Sequence, residues 1–130
     1  MESSEIGKRG EYLAKNYLIK NNYKILDQNF FLKTSNNKVI AEIDIIAKNK
    51  STYCFIEVKS SYANSSSPYF CLEKRVHRKK ARKIILAAKY WLKNQKIDNV
   101  KWQIDILGVL FYNNNIDFIH LTNVFEDNQF

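Results

Sequence analysis

The stretch from Val39 to Lys59 constrains this chain most, because it sets charges inside runs that otherwise want to be buried strands. It reads VIAEIDIIAKNKSTYCFIEVK. Two apolar, β-branched-rich runs flank the polar Lys48-Asn49-Lys50-Ser51, and they carry Glu42, Asp44, Glu57 and Lys59 within them. Side chains on a strand alternate between faces, so Glu42 and Asp44 share one face of the first strand and Glu57 and Lys59 one face of the second. If two or four residues close the hairpin, Asp44 lies opposite Phe55 and Glu42 opposite Glu57, and all four charges fall on one side of the sheet. A three-residue loop would send the two pairs to opposite faces. Three carboxylates on one strand-pair face repel each other and resist burial. A divalent cation is what would make such a cluster reasonable.

At 130 residues with 45% hydrophobic and 14% aromatic content, the chain suits a single domain over 1–130 with a real core, and disorder is excluded. A net charge of +8 and a pI near 9.5 favour a polyanionic partner such as nucleic acid, a solvated basic surface being the plainer alternative. Cys54 and Cys71 are the two thiols, without a CxxC or clustered histidines. That points to a reducing compartment and away from zinc. No run approaches the ~18 apolar residues of a membrane span, and a signal-peptide apolar region is lacking at the start. The expectation is a soluble cytoplasmic protein.

In chain order, Ser3 and Ser4 can cap a helix over about Glu5 to Asn21. Its inward stripe is Ile6, Gly10, Leu13, Ala14, Tyr17 and Leu18. Glu11 sits at the stripe's edge, in line with Gly7, Ala14 and Leu18; on helix evidence alone it reads as a carboxylate reaching to solvent. Gly7 and Gly10 cost helix stability and are expected where the helix nears a sheet. A strand from Tyr23 to about Lys33 and a turn at Thr34–Asn37 lead into the acidic hairpin. Ser60 to Ser67 reads as a loop closed by Pro68. A second helix, starting between Glu73 and Arg78 and ending near Asn94, buries Val76, Ile84, Ala87, Ala88, Trp91 and Leu92. Its first half carries Lys74, Arg75, Arg78, Lys79, Lys80, Arg82 and Lys83. Positive charge there opposes the helix dipole, so phosphate contact is the expected reason, against a merely exposed basic face. Strands follow at Val100–Tyr112 and Ile116–Leu121, joined by Asn113-Asn114-Asn115, with a polar tail from Thr122. The order is α-β-β-β-α-β-β, an α/β domain with a mixed sheet flanked by helices.

Phosphodiester hydrolysis needs an activated water and positive charge against the developing phosphorane, both of which Mg²⁺ supplies. Mg²⁺ takes a few carboxylate oxygens and keeps waters. Asp44 and Glu57 on adjacent strands suit it, and the Val58 backbone carbonyl is a further candidate ligand. Lys59 can orient the water or stabilise the transition state. Asp44 followed by Glu57-Val58-Lys59 resembles the PD-(D/E)XK nuclease superfamily, with its restriction-endonuclease-like fold. More closely, the chain resembles the small bacterial YraN-like family. The resemblance rests on Gly7-Lys8-x-Gly10-Glu11, Tyr23-x-Ile25-Leu26-x-x-Asn29, Glu42 to Ala47, Phe55 to Lys59, Lys80-x-x-Lys83-Ile84, Ile104-Asp105-Ile106 and Asn123-Val124-Phe125.

The resemblance implies that Asp44 and Glu57 bind Mg²⁺ or Mn²⁺, that Lys59 is catalytic, and that Glu11 is a helix carboxylate near the metal. Glu42 would support the site, and Asp105 would be a strand-end hydrogen-bonding residue. Three positions depart from the family pattern: Ala41 stands for Gly, Ser61 for Arg and Phe31 for Arg. The expected function is metal-dependent hydrolysis of DNA, branched or single-stranded forms included, with a homodimer as an analogy from related folds. Two alternatives stand beside it. One is a nucleic-acid-binding module on the same fold without effective catalysis. The other is a protein-interaction module that docks a basic partner on the acidic cluster.

Overall fold

The computed structural model describes residues 3–62 and 78–125. Helix α1 (Ser3–Lys20) precedes strands β1 (Lys24–Lys33), β2 (Val39–Asn49) and β3 (Thr52–Tyr62). Helix α2 (Arg78–Asn94) then leads to β4 (Lys101–Tyr112) and β5 (Asn115–Phe125). The five strands form one sheet in sequence order. All neighbours are antiparallel except β3 and β4, which run parallel from Thr52↔Lys101 to Tyr62↔Phe111. A parallel pair needs a crossover, and α2 lies in it. The mixed sheet and the α-β-β-β-α-β-β order are those expected.

The helices cover opposite faces of the sheet. On one, Ile84, Ala87, Ala88 and Trp91 of α2 pack on Ile46 and Phe55. On the other, Ala14 and Leu18 of α1 pack on Ile45, Ala47, Ile56 and Leu107. Trp91 Nε1 donates to Asp27 Oδ2 at 3.1 Å, tying α2 to β1. Interior strand β4 is buried on both faces from Ile104 to Phe111, as a strand between two helical layers should be. Asparagine supplies many of the left-handed corners: Asn22 ends α1 at φ 70, and Asn113-Asn114 turn β4 into β5 at φ 46 and 63.

Several boundaries differ from the sequence reading. Helix α1 already includes Ser3 and Ser4, ahead of the expected start at Glu5. Strand β3 continues through Ser60 and Ser61 to Tyr62, because β4 pairs with it along that whole length. Strand β5 runs through Thr122–Phe125, which the sequence suggested was tail. There Ile104 pairs with Phe125 but Ile106 with Leu121, so β5 carries a bulge with Asn123 at φ 53. Lys74, Arg75, Val76, Cys71, the rest of the Ser-rich loop and the last five residues lie outside the described residues.

The acidic hairpin has the expected parity but a different register. Its loop is the two residues Lys50-Ser51, with Asn49 opposite Thr52 and Ile45 opposite Ile56. Carried on, that register brings Asp44 level with Glu57 rather than Phe55, and Glu42 level with Lys59 rather than Glu57. The turn is centred one residue later than expected, on Lys50-Ser51, which slides the partners by two and leaves the same side chains on the same face.

Candidate active site

The β2–β3 ladder stops at Ile45↔Ile56. Beyond it β2 keeps to β1, pairing Ile43 with Phe30 and Glu42 with Phe31. Its alternation also breaks there, since Ile43 and Ile46 join the α2-side core while Ile45 and Ala47 join the α1-side core. Asp44 stands in the resulting gap. Its Oδ2 accepts the Val58 N–H at 2.8 Å, a bond that a regular ladder would have given to a β2 carbonyl. The N–H and C=O of one strand residue point to the same edge, so the Val58 carbonyl faces this gap too.

Glu57 is next on β3. Its Oε1 receives two ammonium groups, Lys80 Nζ at 2.7 Å and Lys59 Nζ at 3.2 Å. Asp44 is 9% exposed and Glu57 7%, yet both line two openings. On the α2 side a pocket of about 490 Å³ is walled by Val39, Ala41 and Ile84 and rimmed by Lys79 and Lys83, with Glu42 beside the carboxylates. On the α1 side a cavity of about 400 Å³ holds Glu11, Val58, Ser60 and Ser61. The gap in the sheet therefore lets residues of both faces reach one pair of carboxylates.

Crowding shows in the proton affinities. Burial, then Glu57, pushes the Asp44 carboxyl up to about 8, against the lowering effect of the Val58 N–H. Glu11 is raised by burial and then by Glu42 and Glu57. Glu42 is raised by burial and by Glu57, while Lys80 pulls it down. Burial, and then the adjacent Lys80, lowers Lys59. Burial alone would lower Lys80 too, but its bond and attraction to Glu57 outweigh that and raise it. Four carboxylates thus face two ammonium groups in a chain whose net charge is +8.

Among the described residues, no three His, Cys, Asp or Glu groups close on one point tightly enough to chelate a cation by themselves. Mg²⁺ asks for less: one or two carboxylates, with water in most other positions. Asp44, Glu57 and the Val58 carbonyl are oxygen donors of the kind that demand requires.

Glu11, Glu42, Asp44, Glu57 and Lys59 all lie around this gap. Glu11 does not simply reach for solvent. Gly10 sits so close to β3 that a Cβ there would overlap the Ser60 side chain, and this approach carries Glu11 to the cavity. Gly7 has open space instead, so close packing is not its reason. Lys79, Arg82 and Lys83 are exposed on the first turns of α2. Lys80 is separate from them: it was expected on phosphate and is found on Glu57. The signal was present, because Lys80 lies on the buried stripe of Ile84, Ala87 and Trp91. Also unforeseen are the hydroxyls of Ser60 and Ser61, buried without a hydrogen-bond partner beside the site. Asp105 lies elsewhere, wholly buried, accepting from Gln103 Nε2, the Asn123 N–H and His120 Nε2 at 2.9 Å each.

A carboxylate pair met by lysines at a break in a mixed, helix-covered sheet defines a class of small α/β domain with a polar site sunk between strands. The chain belongs to the family described as "Uncharacterised protein family UPF0102", which it matches over residues 10–109. It is 37% identical to a UPF0102 protein of Clostridioides difficile over 96% of this chain and 100% of that one. It is 35% identical to one of Clostridium tetani over 89% and 88%, and 36% identical to one of Persephonella marina over 92% of each. Among the described residues, no helix is long and apolar enough to cross a membrane.

Proposed function

We propose that this chain is a metal-dependent nuclease that hydrolyses phosphodiester bonds of DNA, single-stranded or branched forms included. The observation that carries the reading is the meeting of Asp44 and Glu57 at the sheet gap, with Lys59 on Glu57 and the basic start of α2 at the rim. Asp44, Glu57 and the Val58 carbonyl would hold Mg²⁺ or Mn²⁺, which when bound supplies an activated water and a counter-charge for the phosphoryl oxygens. Lys59, fixed by Glu57 and largely buried, has an ammonium positioned to orient that water or to stabilise the transition state. Glu11, on the α1 side, and Glu42, on the α2 side, add acceptors around the same carboxylate pair. Lys79, Arg82 and Lys83 offer exposed charge to the phosphates of the strand. The acidic pair lies too deep to dock a basic protein face.

The experiment is a cleavage assay on duplex, single-stranded, branched and RNA substrates in Mg²⁺ and in Mn²⁺. The wild type should cut at least one DNA form. Glu57→Ala, Asp44→Ala and Lys59→Ala should each lower the rate roughly 100-fold or more while DNA binding is kept. Binding without products in either metal would instead support a nucleic-acid-binding module.

A further inference from the structure

Glu57 Oε1 holds two ammonium groups at once, and they come from different places. Lys59 is its neighbour on β3, 18% exposed and confined by the strand. Lys80 arrives from the first turns of α2 at the shorter distance, 2.7 Å, and its side chain is 42% exposed. A lysine with a flexible stem and an open route to water is the partner that can leave. Lys80 also attracts Asp44 and Glu42, so one movable charge answers three of the four carboxylates. It lies beside Lys79 and Lys83 on the rim of the α2-side pocket, facing where a phosphate would approach.

We propose that Lys80 is the built-in counter-ion of the carboxylate site: it neutralises Glu57 while no divalent cation is bound, and turns to the nucleic-acid phosphate once one is. Lys80 is thereby a positioning residue that couples metal uptake to phosphate binding. The inference rests on the nuclease reading for the identity of both ligands. Linkage requires that removing an internal competitor tighten the cation and that occupation by the cation free Lys80 for phosphate.

Titration calorimetry with Ca²⁺ and Mn²⁺, without DNA, tests the first half. Lys80→Met keeps much of the stem and removes the charge, and should bind the cations roughly tenfold more tightly, the low end expected for a half-exposed charge a few ångströms away. Lys80→Arg should stay near the wild type. Lys83→Met removes the same net charge one turn away, off Glu57, and should change affinity less than about twofold. The salt dependence of DNA binding tests the second half. Lys80→Met should reduce the slope by about one phosphate contact in Ca²⁺ and leave it unchanged in EDTA, where Lys80 is engaged on Glu57. Equal effects of Lys80→Met and Lys83→Met on cation affinity, or an equal loss of slope with and without Ca²⁺, overturn the exchange while leaving the nuclease reading intact. Failure of wild type and Lys80→Met alike to take up either cation overturns both.

Discussion

Asp44 is a side chain whose ionisation works against the fold that holds it. Its folded pKa, about 8, lies above the ordinary 3.8, so the neutral form is favoured on folding. The cost of charging it is absent below about 3.8, accumulates as pH rises towards 8 and is constant above. Asn cannot ionise and can still accept the Val58 N–H. Asp44→Asn should therefore raise stability by about 0.5–2 kcal/mol, and by more at pH 8 than at pH 5. Thermal melts in EDTA at the two pH values check this. An unchanged difference across that range would mean the carboxyl is not held neutral. The same substitution should end cleavage, since the charge that burdens the fold is the one the proposed metal needs.

Both helices deliver a charged residue from the edge of an apolar stripe: Glu11 in line with Ala14 and Leu18, Lys80 in line with Ile84 and Ala87. A charge in such a place is pulled inward by the packing of its neighbours and must find a polar partner, and here the sheet gap supplies it. How closely α1 approaches is fixed at Gly10. Gly10→Ala gains helix propensity of roughly 1 kcal/mol but forces the new methyl against Ser60, an overpacking cost of roughly 1–3 kcal/mol. Gly7→Ala meets nothing within 4 Å and keeps the propensity gain. Chemical denaturation should thus show Gly7→Ala stabilised by about 1 kcal/mol and Gly10→Ala neutral or destabilised. In Gly10→Ala the shift of Glu11 should also weaken the site. A matching gain in both variants would remove Gly10 from this role.

Across the whole molecule, the two buried polar centres have opposite designs. At the sheet gap the carboxylates outnumber their partners, and the site is open on both faces. At Asp105 every bond is internal: Gln103, His120 and the β5 bulge all donate to one carboxylate, with His120 packed near Tyr17 and Tyr23. That centre explains why β5 can carry Asn123 in a left-handed conformation and still return to pair Phe125 with Ile104. Asp105→Ala would leave three part-buried hydrogen-bond donors without their shared acceptor and should cost about 1–3 kcal/mol. Cation affinity measured well below the melting temperature should not change. A stable Asp105→Ala variant with altered cation binding would instead join the two centres.

Periodicity and spacing were enough to order the elements and to put α1 and α2 on their apolar stripes, because those properties depend only on residues near in sequence. Glu11 could be singled out for the same reason. That Asp44, Glu57 and Lys59 share one side of the hairpin depended on an even-numbered loop, which the structure supplies. The slide of two residues that brings Asp44 level with Glu57 was not legible, since a turn centred one residue earlier or later satisfies the same alternation. Nor was the extension of β5, because Thr122-Asn123 reads as tail until Asp105, eighteen residues earlier, accepts the bulge. The chain by itself determined which side chains would be driven inward, through the hydrophobic effect acting on local pattern. Only the tertiary structure decided that β2 parts from β3 at Asp44 and that Lys80 comes to rest on Glu57, because both follow from packing between elements far apart in the chain.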